Sequence, residues 1–259
     1  MIETVPLTDG ALHVVRSPLL AEIPGIIFGI STRVGGVSTS PYDLNLSFRV
    51  GDDERSVREN RARFFGALGI APGQLAVPMQ VHGDIVRVAD APGSYEACDG
   101  LVTSTQGLFL AISVADCVPV FAVDPLGGAV GAFHAGWRGA KLGIVAKGIA
   151  LMASTFGSDP ARMRAVIGPS AGSCCYEVGE EVAAAFEERF VVWSSGAKPT
   201  LDLHEHARAA LVDSGVPAAQ VDLLSDCTIC HPAEFHSYRR DRERSGRMMG
   251  AIGLRPAGG

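Results

Sequence analysis

Three short segments of this 259-residue chain carry side chains able to do chemistry: Gln80-Val81-His82-Gly83, Ala115-Asp116-Cys117 and His134-Ala135-Gly136-Trp137-Arg138-Gly139. In each, the reactive side chain lies near Gly, Pro or a small residue, where a backbone can open onto a cleft. Two imidazoles and one thiolate make a three-ligand zinc set with room for a fourth, exchangeable ligand. Zinc would hold Cys117 as the thiolate and lower the pKa of a water toward about 7. A buried cysteine with two hydrogen-bonded histidines is the other reading of these residues, and spacing alone leaves both open.

The elements that must position these groups show in the apolar pattern. Leu108 to Val114 and Val118 to Val123 are rich in β-branched and aromatic residues, Asp124-Pro125-Leu126-Gly127 reads as a turn, and Ala129 to His134 returns. With a four-residue loop, Val123 pairs with Gly128 and Cys117 with His134, on one face of a hairpin. Leu142, Val145, Ile149, Met152 and Phe156 form a helical stripe between Lys141 and Phe156. The spacing of Val178, Val182, Phe186 and Phe190 predicts another helix, and Glu54 to Leu68 a third. Asp202, with Glu205 three residues on, caps a fourth that stops near Gly215.

Composition narrows the function classes. Charged residues are 19% and apolar residues 47%, which excludes extensive disorder. The 31 Gly and 15 Pro point to many turns and a mixed α/β body. A net charge of −6 gives no basic footprint for nucleic acid or an anionic membrane. The longest apolar stretch, Gly107 to Val123, is broken by Asp116 and Pro119, so no membrane span is expected. The acidic start, MIETVPLTDG, does not resemble a secretory signal, and six Cys in a chain of this length read as thiols or metal ligands. A reducing cytoplasm is the expected setting. No repeat or linker divides the sequence, so residues 1–259 are expected to form one domain.

The three segments resemble the YfiH-type proteins, variously called laccase-domain proteins, polyphenol oxidases, purine nucleoside phosphorylases and peptidoglycan-editing factors. Further matches follow in the family's order: Thr32-Arg33-Val34-Gly35-Gly36-Val37-Ser38, Asn45-Leu46, Glu59-Asn60-Arg61, Asp99-Gly100-Leu101-Val102-Thr103, Ile167-Gly168-Pro169-Ser170, Tyr176-Glu177-Val178, Cys227-Thr228, Ser237-Tyr238-Arg239-Arg240 and Ser245-Gly246-Arg247. The resemblance covers about residues 25 to 253. It departs at His236, where an aromatic residue is usual, and in the charge-rich stretch from Arg240 to Gly246.

The resemblance implies one α/β domain with mixed β-sheets sandwiched by helices. It implies metal ligands at His82, Cys117 and His134, and a site lined by Arg33, Asn45 and Gln80. The implied activity is zinc-dependent phosphorolysis of adenosine, inosine or 5′-methylthioadenosine, with some adenosine deamination. Arg33 is the expected phosphate anchor, and Asn45 and Gln80 the expected hydrogen-bond partners of the nucleoside. One alternative is an amidase that removes L-serine from UDP-MurNAc precursors, with Cys117 as nucleophile and His134 or His82 as base. A non-enzymatic metal-binding module is the third reading. Copper binding in vitro is compatible with two His and a Cys. A trinuclear copper cluster needs a dense array of imidazoles, and this chain has seven His with a single His-x-His pair, His204 and His206, so a true multicopper laccase is not expected.

Other patterns read as structural. Cys227-Thr228-Ile229-Cys230-His231 spells a haem attachment run, but that chemistry requires export; packing is expected, with a redox pair or second zinc site as alternatives. A disulfide between adjacent Cys174 and Cys175 would be strained. His204 and His206 point about 200° apart on a helix and cannot easily share an ion, so a solvated helix start is expected. The arginines from Arg239 to Arg247 read as a solvated mixed-charge loop.

Overall fold

Val118, Val120 and Ala122 face one apolar cluster, Phe121 and Val123 another, and all five are fully buried. A strand buried on both faces must lie inside a layered structure, and the computed structural model, which describes residues 1–193 and 195–256, has that form. Two mixed sheets stack face to face. The first has seven strands in the spatial order Ile2–Leu7, Gly10–Val15, Ile26–Ser31, Met248–Leu254, Phe109–Val114, Leu75–Pro78 and Gly93–Tyr95. The second has six, Val221–Leu223, Arg164–Ile167, Val118–Asp124, Ala129–Ala135, Gly100–Thr103 and Val86–Val88. Phe28, Leu110, Ile112, Phe121 and Val130 fill the space between them.

Helices cover the outer faces, which gives the expected mixed sheets sandwiched by helices. Glu54–Ala67, capped by Asp53 through the Ser56 amide, lays Phe64 and Phe65 on the first sheet. Ile144–Phe156 and Leu203–Asp213 lay Ile149, Met152, Ala207 and Leu211 on the second. Asp202 caps the latter through the Glu205 amide, as its spacing predicts.

Two helix expectations need correction. The stripe from Lys141 is split, because Gly143 takes a φ of +82° and separates Trp137–Lys141 from Ile144–Phe156. Leu142 consequently faces solvent. Between Val178 and Phe190 only Glu180–Ala183 is α-helical; Ala185 and Phe186 then bond three residues back, which tightens the coil and ends the helix. The four apolar side chains still meet one core cluster.

The hairpin register also differs from expectation, by two residues. Asp124 opposes Ala129 and His134 opposes Pro119. The Asp124 side chain accepts the Leu126 and Gly127 amides, and Gly128 takes a φ of +63°, so the loop is Pro125 to Gly128. An even slip preserves the face of every side chain. Cys117 and His134 therefore remain on the same side. No helix of the described residues is long and apolar enough to cross a membrane.

Candidate functional site

His82 lies in the loop after Leu75–Pro78 with a φ of +60°, which is uncommon for a residue with a side chain. Asp99 explains it. The Val81, His82 and Gly83 amides all donate to its carboxylate, at 3.1, 2.9 and 2.8 Å. Cys117 sits where the chain leaves the first sheet at Val114 and enters the second at Val118. Asp116 makes that turn with a φ of +83°, and its carboxylate accepts the Thr228 hydroxyl at 2.7 Å and the Arg239 amide. His134 is near the end of its strand, one residue before Ala135 pairs with Val118. Beyond it, a Cβ on Gly136 would stand 3.1 Å from Cys117 Sγ and 3.4 Å from His82 Cδ2, so only glycine leaves this space free.

The structure brings the three expected ligands together. Donor atoms of His82, Cys117 and His134 lie within 4.8 Å of one another, and the two imidazoles meet edge to face at 5.0 Å. His134 Nδ1 donates to Asp99 Oδ1 at 2.8 Å, which fixes the ring and leaves Nε2 for Cys117. Burial opposes ionisation of the Cys117 thiol, but the His134 charge and hydrogen bonds from both imidazoles outweigh it and lower the thiol to about 6. Burial likewise opposes a charge on His134, yet the Cys117 thiolate and Asp99 raise it to about 9. This imidazole–thiolate donor set, with buried His134 and exposed His82, fits a zinc ion with one side open.

The open side faces a cleft of about 830 Å³. Arg49, Arg61, Arg239 and Arg247 line it. Phe48 and Tyr238, 43% and 40% exposed, stand in its wall with Tyr176. Arg61 lies over Phe48 at 4.5 Å, Arg239 over Tyr176 at 4.9 Å and Arg247 over Tyr238 at 5.2 Å. Arg247 feels the charges of Asp116 and Cys117, although burial is what chiefly lowers its own pKa.

The polar residues expected around the ligands are placed differently. Arg33 is not among those lining the cleft. Its guanidinium binds Asp43 and the Pro41 and Pro232 carbonyls, the last two at 3.1 and 3.0 Å, and ties two loops together. Asn45 is fully buried behind the wall, where its Oδ1 accepts the Arg247 amide at 2.9 Å; it holds that backbone and does not line the cleft. Gln80 does line the cleft, with its amide paired to both backbone groups of Ser113 at 2.8 Å.

The C-terminal arginines are a solvated loop only in part: Arg242 and Arg244 are exposed, whereas Arg240 binds Asp241 and the Thr228, Ile229 and Phe235 carbonyls. The helix start is not solvated. His204 is buried against Ser170 Oγ at 2.8 Å, and His206 meets the Phe186 and Phe190 rings on another side. His236 is fully buried with no partner at either ring nitrogen. Asp99 is the site residue that sequence spacing did not single out. Its signal is a lone carboxylate directly before the short strand Gly100–Thr103, which is wholly buried.

The family model described as multi-copper polyphenol oxidoreductase laccase matches residues 27–255. Purine nucleoside phosphorylase of Deinococcus radiodurans is 42% identical over 252 residues, covering 96% of this chain and 95% of the relative. Purine nucleoside phosphorylase YlmD of Geobacillus stearothermophilus is 36% identical, covering 89% of this chain and 91% of the relative. The crystal structure of YlmD from that organism superposes with a TM-score of 0.88 at 32% identity, over 97% of this chain and 98% of the other. A Bacillus licheniformis hypothetical protein YfiH gives 0.87 at 35% identity, over 96% and 98%.

Proposed function

The chain belongs to the multi-copper polyphenol oxidoreductase laccase family, and on that premise we propose that it is a zinc-dependent purine nucleoside phosphorylase. Its expected substrates are adenosine, inosine and 5′-methylthioadenosine, with adenosine deamination as a second activity of the same site. The supporting observation is that His82, Cys117 and His134 converge beside a cleft that also holds four arginines and exposed aromatic rings. Relatives bearing the phosphorylase name at 36–42% identity point the same way.

In phosphorolysis a phosphate oxygen bonds to C1′ as the C1′–N9 bond breaks, and the electron pair leaves with the purine, which takes up a proton. Arg247 and Arg239 each keep guanidinium N–H groups beyond those bound to carbonyls, and these hold the dianion. Phe48 and Tyr238 offer faces on which a purine stacks. Burial pushes the Tyr176 hydroxyl up to about 12, so it stays protonated, with its proton available to a substrate oxygen or nitrogen. Gln80 keeps one N–H and one lone pair for the sugar or base. His82, Cys117 and His134 would hold zinc, which when bound supplies a Lewis acid that polarises an oxygen at the open side. The six unbridged cysteines suit a reducing cytoplasm.

Laccase chemistry is not supported by the donor set. A trinuclear copper cluster requires many clustered imidazoles, whereas only His82 and His134 of the seven His share a candidate metal group among the described residues. Amidase chemistry has one specific feature in its favour: Cys117, His134 and Asp99 line up as nucleophile, base and orienting carboxylate. Incubation of adenosine with and without phosphate separates the readings. Adenine release that requires phosphate is expected; release without it, or no turnover, rejects the phosphorylase.

A further inference from the structure

We propose that Cys174, Cys175, Cys227 and Cys230 form a second metal centre, a four-thiolate zinc site that clips together two loops behind the cleft wall. The four sulfurs lie within 4.8 Å of one another. Cys230 Sγ is 3.6 Å from Cys174 Sγ and 3.2 Å from Cys175 Sγ. Sulfurs arranged as a tetrahedron about zinc, each at about 2.3 Å, stand about 3.8 Å apart. A disulfide would need about 2.05 Å. Adjacent Cys174 and Cys175 have Cα atoms about 3.8 Å apart, short of the usual disulfide range of about 4.4–6.8 Å, so they do not pair with each other.

The backbone around Cys227 is arranged for a thiolate. Its sulfur accepts the Gly172 amide at 3.3 Å and further N–H groups from Ile229 and Cys230. Amide donors to a ligand sulfur orient it and stabilise its charge. Four crowded sulfurs cannot all ionise without a cation among them, and a divalent ion removes that conflict. Hydrophobic packing does not account for the cluster, because Cys174 and Cys230 are exposed. The same exposure gives an ion a way in.

The clip has a structural consequence whichever reaction the first site runs. One loop continues from Cys175 into Tyr176, which lines the cleft. The other continues from Cys227 into Thr228, whose hydroxyl holds Asp116 beside Cys117.

The test is metal stoichiometry and spectroscopy on the full chain, loaded with zinc or cobalt alone. Wild-type protein is expected to hold about two zinc ions and Cys117→Ser about one. X-ray absorption at the zinc edge of Cys117→Ser should show sulfur neighbours only, at about 2.3 Å. Cobalt in that variant should give tetrahedral d–d bands with strong sulfur-to-metal charge transfer. The double variant Cys175→Ser/Cys230→Ser should lose one ion while its circular dichroism stays native. A Cys117→Ser protein without metal overturns the proposal, whether its other thiols are free or oxidised to disulfides. So does a wild-type protein whose zinc content the double variant leaves unchanged.

Discussion

The Asp99 carboxylate accepts His134 Nδ1 at 2.8 Å and, on its other lone pairs, the three amides that hold His82 in a left-handed turn. One fully buried carboxylate therefore sets the position of one expected ligand and the orientation of another. It accepts four hydrogen bonds, and an asparagine can accept with only one of its two terminal atoms. Asp99→Asn should weaken zinc binding at this centre about ten- to a hundredfold. Competition with a chelator measures the loss, and unchanged affinity would remove Asp99 from the site.

Cys117→Ser replaces the thiolate with a weakly coordinating hydroxyl. Zinc at this centre and both products from adenosine should fall together. Full occupancy with normal turnover would reject Cys117 as a ligand and as a nucleophile.

Phosphate binding should follow the arginines of the cleft. Arg247→Ala removes charge-assisted hydrogen bonds worth about 1.5–3 kcal/mol, so KM for phosphate should rise roughly ten- to a hundredfold. Deamination, which uses water, should change less. Arg33→Ala should instead lower stability, because Arg33 ties Asp43, Pro41 and Pro232 together outside the cleft. Phosphorolysis and urea titrations on both variants check the division. A phosphate defect confined to Arg33→Ala would reverse it.

His236 makes stability depend on pH. Burial holds its pKa down at about 3, with the Arg33 charge adding to the effect. The unfolded chain, titrating near 6.5, binds the proton first. This histidine thus costs no stability above about pH 6.5, and the fold loses up to about 1.4 kcal/mol per pH unit as the pH falls toward 3. His236→Phe should remove that slope. The gap between urea midpoints at pH 7.5 and pH 5 should narrow in the variant, and an unchanged gap would show that other groups carry it.

The convergence of His82, Cys117 and His134 is legible because they stand at element edges beside small residues, and that pattern survives errors of register. The hairpin illustrates this: counting from the wrong loop boundary shifted the pairing by two, yet an even shift keeps the face. The place of Arg33 is not legible in this way. Asp43 and Pro41, ten and eight residues on, take up most of its guanidinium and Pro232, 199 residues away, the rest, and spacing does not show which carboxylate or carbonyl folds back onto it. Distance along the chain hid Asp99, which is 35 residues from His134, and the meeting of Cys174 with Cys230 across 56.

The strand order of the first sheet bears on how the molecule is made. Met248–Leu254 lies between Ile26–Ser31 and Phe109–Val114, so the last strand of the described residues joins the two halves of the sheet. On the ribosome, the earlier six strands emerge before it, and Ile26–Ser31 and Phe109–Val114 each lack the partner for one edge. Those edges are sticky templates until the last strand covers them. A chaperone that shields nascent sheet edges should therefore engage this protein late in synthesis, and a stop codon just before Met248 should yield aggregate where a folded product would otherwise form.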